Sequence, residues 1–369
     1  MSPFFDNPTS ALDRLTQTFM GKKVCVTGHT GFKGSWLCEW LLLMGAEVSG
    51  FSLPEASTNL DLFSQLKLSS RLEDVRGDIR NPVQVADWLI GSEPDFVFNL
   101  AAQPLVRLSY KVPVLTWETN VLGTIHVMEG LRQLSKPCAA VMVTTDKVYE
   151  NREWLHGYRE EDPLGGHDPY SSSKVGAEIA IASWRQSFFK KHPVSLASVR
   201  AGNVIGGGDW AEDRIVPDCI KSLMRGESIP VRNKISTRPW QHVLEPLSGY
   251  LLLASMMSST LDSPPATSLY SSAFNFGPRL ESNRTVAELV NEVLKHWPGQ
   301  WVDQSDPNAP HEAGKLNLAT DKAFHVLGWK PRWNFETTVA KTVEWYRLRD
   351  QGLDVAVLTQ NQIKEYNHL

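Results

Sequence analysis

Short apolar runs alternate along this chain with longer segments whose apolar residues recur at helical spacing. The first pair is KKVCVTG at residues 22–28, which predicts a buried strand, and SWLCEWLLLMGA at residues 35–46, which predicts a helix. Further strands are indicated at residues 95–103, 138–149 and 193–209, with helical spacing between them. Strands that alternate with helices predict an α/β fold, a doubly wound Rossmann-type parallel sheet covered by helices on both faces.

Beyond residue 209 the alternation weakens and prolines interrupt it, which predicts a smaller C-terminal α/β domain that binds substrate. We expect the apolar segment LEPLSGYLLLASMM to return to the first domain. The expected bounds are 1–200 plus about 241–274 for the Rossmann domain, about 201–240 and 275–345 for the smaller domain, and 346–369 for a C-terminal tail. We expect little regular structure in roughly the first 20 residues and in the tail.

The composition is that of an ordinary globular protein, with 369 residues of which 42% are hydrophobic and 21% charged. A formal net charge of -4 argues against nucleic acid or an anionic membrane as partner. No signal peptide or membrane-spanning stretch is evident, and the 4 cysteines show no C-x-x-C spacing, so we expect a cytoplasmic protein. The histidines occur singly along the chain, and we predict no metal site.

The segment TGHTGFKG places Gly28, Gly31 and Gly34 between the first strand and the first helix. Such a pattern alone is also typical of a plain turn, but this position favours a dinucleotide turn that binds pyrophosphate at the helix N-terminus. Ser52 stands where the second strand would carry an acid for the adenosine ribose, and no arginine nearby suits a 2′-phosphate, which favours NAD. Asp78 and Ile79 are candidates for the adenine side, although a solvated turn would also explain the aspartate. The predicted cofactor residues are Gly28, Thr30, Gly31, Phe32, Lys33, Gly34, Asp78, Ile79, Leu100, Ala101 and Ala102, together with Tyr170 and Lys174.

Tyr170 and Lys174 occur as YSSSK, one helical turn apart and therefore on one side of a helix. A nearby ammonium and an oxidised nicotinamide both favour the phenolate, which can take a hydroxyl proton while hydride leaves the same carbon. The same spacing is common in surface helices, but after a dinucleotide turn it indicates a redox site. Asp146 ends a strand beside two threonines and is a candidate general acid.

These residues together resemble the extended short-chain dehydrogenase/reductase family, and within it the nucleotide-sugar 4,6-dehydratases. The resemblance covers nearly the whole chain, through TGHTGFKG, NLAAQ, TTDKVY, YSSSK, RAGNV and RPWQHV. TTDKVYEN and RAGNVIGGGDWAEDRIVPD look like the members of that group that act on CDP-glucose. The resemblance implies a lyase that uses NAD internally: C4 of CDP-glucose is oxidised, water leaves from C5 and C6, and hydride returns to C6. The implied setting is bacterial deoxysugar synthesis for O-antigen lipopolysaccharide.

The resemblance also assigns roles to individual residues. It implies that the catalytic residues are Thr145, Asp146, Lys147, Tyr170 and Lys174. It implies that Arg238 and Asn203 contact the substrate. The further substrate candidates are Gln103, Thr144, Val216, Arg214 and Arg279, and a surface salt bridge would equally explain the last two. In this family two helices of each subunit pair in a homodimer, and a tetramer is the alternative.

Lys147 departs from the family pattern, in which a glutamate follows the aspartate and removes the C5 proton. A lysine accepts a proton only when neutral, which burial favours and Asp146 opposes. Our hypothesis is that Lys147 acts on C5, with electrostatic stabilisation of the developing enolate as the second interpretation. As an ammonium it could also protonate the C6 oxygen. A third interpretation gives it only an ion pair with Asp146 or a substrate phosphate.

Two other functions fit part of the pattern. A nucleotide-sugar 4-epimerase would share the glycines, Tyr170 and Lys174, but needs no acid and base at C5 and C6. A non-catalytic NAD-binding sensor would share the fold, but such a protein usually lacks the tyrosine and lysine. The triplet at residues 145–147 favours elimination.

Overall fold

The computed structural model describes residues 11–54, 61–261, 269–305 and 315–368. Its strands are β1 Lys23–Thr27, β2 Glu47–Ser52, β3 Glu73–Arg76, β4 Phe96–Asn99, β5 Cys138–Val143, β6 Val194–Arg200, β7 Val204–Ile205, β8 Ile229–Val231, β9 Thr237–Pro239, β10 Gln241–His242, β11 Ala273–Asn275, β12 Asn283–Thr285 and β13 Trp301–Asp303. Its α-helices are α1 Ala11–Phe19, α2 Phe32–Leu43, α3 Leu62–Gln65, α4 Pro82–Ser92, α5 Val106–Lys111, α6 Pro113–Trp117, α7 Gly123–Leu131, α8 Pro169–Trp184, α9 Ile215–Met224, α10 Leu244–Ser258, α11 Val286–His296, α12 Phe335–Asp350 and α13 Val355–Asn367. Single 3₁₀ turns lie at Leu68–Ser70, Asp146–Val148 and Leu280–Ser282, and π turns at Glu118–Leu122, Arg185–Phe189 and Ala323–Leu327.

Seven strands form one parallel sheet in the order β11-β6-β5-β4-β1-β2-β3. The chain reverses its direction of growth between β1 and β4, which is the switch point where parallel α/β sheets bind ligands. The predicted doubly wound Rossmann-type sheet is confirmed.

Helices cover both faces of this sheet, because its strands are apolar on both sides. One core packs α2 and α10 against residues such as Val26, Phe98 and Val141. The other packs α4, α7 and α8 against Cys25, Val97 and other residues of alternating orientation. Among the described helices, each is too short or too polar to cross a membrane.

Three two-stranded ladders lie outside the main sheet: β7 with β10, β8 with β13, and β9 with β12. They are built from the chain between residues 204 and 303, where prolines interrupt the sequence pattern. The helix α10 contacts β5 of the main sheet. The division into two domains with the bounds given above stays a prediction.

Both ends of the described chain are helical, so the expectation of little structure there is wrong. In α1, Phe19 is fully buried, with its ring centre 4.6 Å from that of Phe96. In α13, Tyr366 is buried and donates a hydrogen bond to the Glu245 carboxylate over 2.7 Å. The physical reason is tertiary packing, which stabilises short helices that would be marginal alone. The first ten residues lie outside the described ranges.

Candidate active site

The glycine-rich turn joins β1 to α2 at the carboxyl edge of the sheet. Gly28 has φ +71°, and a Cβ there would lie 2.8 Å from the backbone nitrogen of Ala101. A Cβ at Gly34 would lie 2.1 Å from the Gly28 carbonyl oxygen, so the helix can approach the strand only without a side chain. Ala101 in turn donates its N–H to the Thr27 hydroxyl over 3.1 Å. The turn and the loop after β4 therefore form one cradle, as expected for a pyrophosphate site.

The end of β2 is polar but not acidic. The Ser52 hydroxyl lies 3.0 Å from Nδ1 of His29, whose Nε2 lies 2.8 Å from the Asp74 carboxylate. Burial lowers the pKa of His29 against the opposing effect of Asp74. The expectation that no arginine lies near is wrong, because the β2–β3 register sets Arg76 directly beside Ser52. Arg76 is bound to Asp74 over 2.7 Å.

The other predicted cofactor residues lie around the same edge. Asp78 is half-buried and bound to Arg80, whose hydrogen bonds hold the pKa of that carboxyl below its usual value. Ile79 is buried, and its carbonyl oxygen lies 3.0 Å from Nδ1 of His126. Phe32 packs toward Gly206, and the Thr30 N–H points to the Ser52 hydroxyl over 3.5 Å. Leu100 and Ala102 flank Ala101 in the cradle and are half-buried.

The helix that carries Tyr170 and Lys174 begins with a strong cap. Asp168 accepts a hydrogen bond from the Ser171 N–H over 2.9 Å, and Pro169 occupies the first helical position. The cap fixes where the helix starts, so Tyr170 and Lys174 both reach the carboxyl end of β5. The Lys174 ammonium donates to the Val143 carbonyl oxygen over 3.4 Å.

Burial dominates the acid–base state of this pair. It raises the pKa of Tyr170 to about 12, against a side-chain hydrogen bond with Thr145 and the positive charge of Arg214. It lowers the pKa of Lys174 to about 8, against the negative charge of Glu178. The cation that opposes the rise in the pKa of Tyr170 is thus Arg214, which is one of the predicted substrate residues.

Asp146 is a buried carboxyl group with an incomplete set of partners. It is 1% exposed, and Oδ1 accepts a hydrogen bond from the Thr145 hydroxyl over 3.0 Å. Its Oδ2 has no partner, and a Cβ at Gly202 would lie 1.8 Å from that oxygen. Burial raises the pKa of Asp146, while Lys147, Thr145, Arg238 and Lys33 act in the opposite direction. A carboxyl in this state can be a proton donor.

Lys147 is half-buried on the same short turn, with its N–H 3.4 Å from the Thr145 hydroxyl. Its ammonium makes no ion pair with Asp146 or any other described carboxylate. It is therefore available to a group that enters the cleft.

The predicted substrate residues divide into two sets. Arg238, Arg214 and Asn203 lie around Asp146 and Tyr170: Arg238 and Arg214 act on their pKa values, and Asn203 follows Gly202 with φ +45°. Arg214 is also bound to Asp209 over 2.8 Å. An asparagine tolerates this left-handed backbone better than most residues.

The second set has other partners or other surroundings. The Thr144 hydroxyl donates to Glu178 over 2.5 Å, and the Gln103 amide makes hydrogen bonds to Leu105 of its own loop and to Thr116 of α6. Val216 is buried in the main core, and Arg279 is exposed on a 3₁₀ turn. No described contact links the side chains of these four residues to Asp146 or Tyr170.

Two residues of the site escaped the sequence analysis. Glu178 is buried and accepts hydrogen bonds from Thr144, Ser198 and Arg200. Its spacing of four residues from Lys174 is a signal that could have found it. Tyr250 on α10 is fully buried, with a hydroxyl that has no partner, and nothing in its local sequence indicates a role.

No group of three or more histidine, cysteine or acidic side chains within the described ranges is arranged to hold a metal ion. The four cysteines are buried and unpaired.

Known proteins similar to this chain include nucleotide-sugar dehydratases and epimerases. Residues 25–342 match the model of the family described as GDP-mannose 4,6 dehydratase. The CDP-glucose 4,6-dehydratase of Salmonella typhimurium is 45% identical over 355 residues, covering 94% of this chain and 97% of that protein. A dTDP-glucose 4,6-dehydratase of Streptomyces venezuelae, solved with NAD, has TM-score 0.75 at 23% identity, covering 90% of this chain and 99% of that one. The UDP-glucose 4-epimerase of Thermus thermophilus, also solved with NAD, has TM-score 0.73 at 24% identity, covering 88% and 99%.

The two solved structures are alike in fold alone, since dehydratases and epimerases share it. The family model and the Salmonella relative go further, because both span the glycine turn, the strand that ends at Asp146, and the helix of Tyr170 and Lys174. The resemblance found in the sequence is confirmed: this chain belongs to the GDP-mannose 4,6-dehydratase family of short-chain dehydrogenases/reductases.

Proposed function

We propose that this chain is an NAD-dependent hydro-lyase that converts CDP-glucose into CDP-4-dehydro-6-deoxyglucose and water. The observation that carries the proposal is Asp146, a buried carboxyl with raised pKa beside Tyr170 and Lys147. Elimination of water needs a proton donor for the leaving oxygen, whereas epimerisation at C4 does not. The identity of 45% with a CDP-glucose 4,6-dehydratase supports both the reaction and the nucleotide.

The cradle fits NAD. The positive end of α2 faces the turn, and Gly28 and Gly34 leave space that a Cβ would fill. Bound NAD supplies a positive nicotinamide ring that accepts hydride from C4 and returns it to C6. Arg76 lies beside the ribose position, but Asp74 neutralises its charge, so NAD remains the expected cofactor.

Tyr170 takes the proton of the sugar 4-hydroxyl in this proposal. Burial opposes the phenolate, and Arg214 supplies positive charge that acts to lower the pKa of Tyr170. Lys174, one helical turn further along α8, is the second cation of the proposed pair. Thr145 lies between Tyr170 and Asp146 and orients the reacting oxygen.

Elimination follows oxidation, because a 4-ketone acidifies the C5 proton. Asp146 gives its proton to the C6 oxygen as the C6–O bond breaks. Lys147 acts on C5, as base or as stabiliser of the enolate, and its lack of a described ion pair supports this role over a purely structural one.

Substrate binding is proposed for Arg238, Arg214 and Asn203, which surround the reacting groups. Arginine suits a diphosphate because its planar fork makes paired hydrogen bonds to phosphate oxygens. We propose that Gln103 and Thr144 shape the site from behind, through the loop after β4 and through Glu178.

A homodimer is proposed through the face formed by α6, the π turn after it, and α8. This dimer face exposes Val114, Trp117, Leu122 and Ile179, of which Val114 is 69% exposed. Contiguous exposed apolar side chains of this kind mark protein interaction sites. We keep the cytoplasm as the proposed location.

The test offers the purified protein CDP-, UDP-, dTDP- and GDP-glucose separately, with NAD, and records product masses. Loss of one water from CDP-glucose alone is the expected result. A hexose isomer of unchanged mass would instead establish a 4-epimerase. No change with any of the four sugars would overturn the catalytic proposal.

A further inference from the structure

Lys33 is a cation at a position that electrostatics disfavours. It is the second residue of α2, at the positive end of the helix, and the first turn contains no acidic residue. The side chain is half-buried and makes no ion pair with a described residue. Because no nearby carboxylate neutralises the ammonium, we expect its charge to influence other ionisable groups of the site.

The surroundings of Lys33 identify what it acts on. Its Nζ lies 5.9 Å from the centre of the Tyr250 ring, on the side of the sheet covered by α2 and α10. Burial and the charge of Arg214 lower the pKa of Lys33 to about 8, Asp146 opposes the change, and Lys174 adds to it. Lys33 is therefore mostly charged at pH 7, and Asp146 is the acidic group that acts on its pKa, while the Lys33 ammonium lies against the Tyr250 ring.

Two buried polar atoms without partners lie in the same neighbourhood. They are the Asp146 Oδ2 and the Tyr250 hydroxyl. Burial raises the pKa of Tyr250, and Asp146 adds to this rise, so the two groups act on each other. An oxygen of this kind can accept a hydrogen bond from, or donate one to, a group that enters the cleft.

We propose that Lys33, held against the Tyr250 ring, is a positioning residue that stabilises the carboxylate left when Asp146 protonates the leaving C6 oxygen. This inference rests on the proposed function. The O–H bond of Asp146 and the C6–O bond break, a new O–H bond forms, and water leaves. The C5–H electron pair becomes the C5–C6 double bond, and the C5 proton passes to a base. Tyr170 gains one proton from the 4-hydroxyl, and Asp146 loses one proton to the C6 oxygen. The protein therefore holds the same number of protons at the end of the cycle, and no external acid is consumed.

Other groups also face Asp146, and the proposal must separate Lys33 from them. Lys147 and Arg238 lower its pKa as well, and Tyr170 and Tyr250 lie close by. Lys147 and Arg238 already have proposed roles at C5 and at the diphosphate. The Lys33 side chain has none, although its backbone belongs to the glycine turn.

The experiment compares two leaving groups in the full-length protein with NAD. CDP-6-deoxy-6-fluoroglucose releases fluoride, which needs little protonation, whereas CDP-glucose releases hydroxide, which needs a full proton transfer. With Lys33→Met we expect elimination from CDP-glucose to fall about 10- to 100-fold, the effect of one charge at several ångströms. Elimination of fluoride should fall less than about 3-fold. Lys33→Arg should restore the hydroxyl reaction, and the exposed Lys22→Met is the control.

Two further measurements separate the alternatives. NAD affinity, titrated without sugar, should differ less than about 3-fold between the wild type and Lys33→Met; a larger loss would assign Lys33 to the cofactor and overturn the proposal. Equal losses with both leaving groups would also overturn it. If Lys33→Met does not fold, Lys33→Gln provides the same comparison. A wild type that releases no water from CDP-glucose would refute the proposed function itself, which is a distinct outcome.

Discussion

Asp146 combines burial, an unpartnered oxygen and a raised pKa, and each of these features is costly to a folded protein. A buried carboxyl group without a full set of partners is more typical of a catalytic site than of a structural one. The absence of a Cβ at Gly202 gives the carboxyl its space, and the Thr145 hydroxyl sets its orientation.

Replacing Asp146 with Asn separates activity from stability. We expect turnover to fall about 100- to 10,000-fold, because the donor for the C6 oxygen is lost. Because the folded-state pKa of Asp146 is raised, its ionisation disfavours the fold as pH rises through that value. The variant should therefore melt at a higher temperature than the wild type at pH 8, and this difference in melting temperature should shrink toward pH 4. A difference that is unchanged from pH 4 to pH 8 would contradict the assigned pKa direction.

Replacing Lys147 with Ala tests the departure from the family pattern. Oxidation at C4 should persist, seen as absorbance of the reduced cofactor, while water loss falls by at least about 100-fold. The exposed Lys136→Ala, whose residue pairs with Glu93 over 2.8 Å, is the control. Undiminished turnover in Lys147→Ala would leave that residue with no role at C5.

At the scale of elements, α8 joins the catalytic pair to the sheet through a buried ion pair. Glu178 lies on this helix, and Arg200 ends β6, with 2.8 Å between their charged atoms. Although burial acts to raise it, Arg200 holds the pKa of Glu178 below its usual value. Arg200 also donates to the Tyr149 hydroxyl over 2.8 Å, which extends the link to the loop after β5.

Removing one partner of this pair should be costly. Glu178→Gln leaves a buried guanidinium without its counter-charge, and we expect the free energy of unfolding to fall by about 3–5 kcal/mol. The double variant Glu178→Gln with Arg200→Met should recover much of that loss in urea unfolding. The exposed pair Arg225–Glu227 provides the control, since Glu227→Gln should cost under about 1 kcal/mol. A loss at Glu178 as small as that control would show that the buried pair contributes little.

The alternation of strands and helices is local in sequence, and for that reason the sheet and the site edge could be predicted. Side-chain direction could not, because Thr144 and Thr145 point to opposite sides of the backbone and reach Glu178 and Asp146 respectively. Strand pairing brings Arg76 beside Ser52 from more than twenty positions away, which no local pattern reveals. The helix α13 likewise depends on a partner distant in sequence: Gln360 donates to Glu39 over 2.8 Å.

At the scale of the whole molecule, the dimer face is apolar, whereas the cleft, on the opposite side of α8, is polar. Gly176 lets α8 approach α6 closely, since a Cβ there would lie 3.2 Å from the Trp117 ring. The two helices therefore form one rigid surface that presents Leu122 and Ile179 to solvent. A rigid apolar surface loses little conformational entropy on association, which favours pairing with its own copy.

Charges on that face should therefore dissociate the protein. We expect Leu122→Glu with Ile179→Glu to sediment at half the mass of the wild type, because a dimer would bury like charges in an apolar contact. Val357→Glu, on the exposed side of α13, is the matched control and should leave the mass unchanged. If the wild type itself sediments as a monomer, or if the double variant retains the wild-type mass, the subunits do not pair through α6 and α8. Since Tyr170 and Lys174 lie on the other side of α8, a monomeric variant that still binds NAD would show that the site is complete within one subunit.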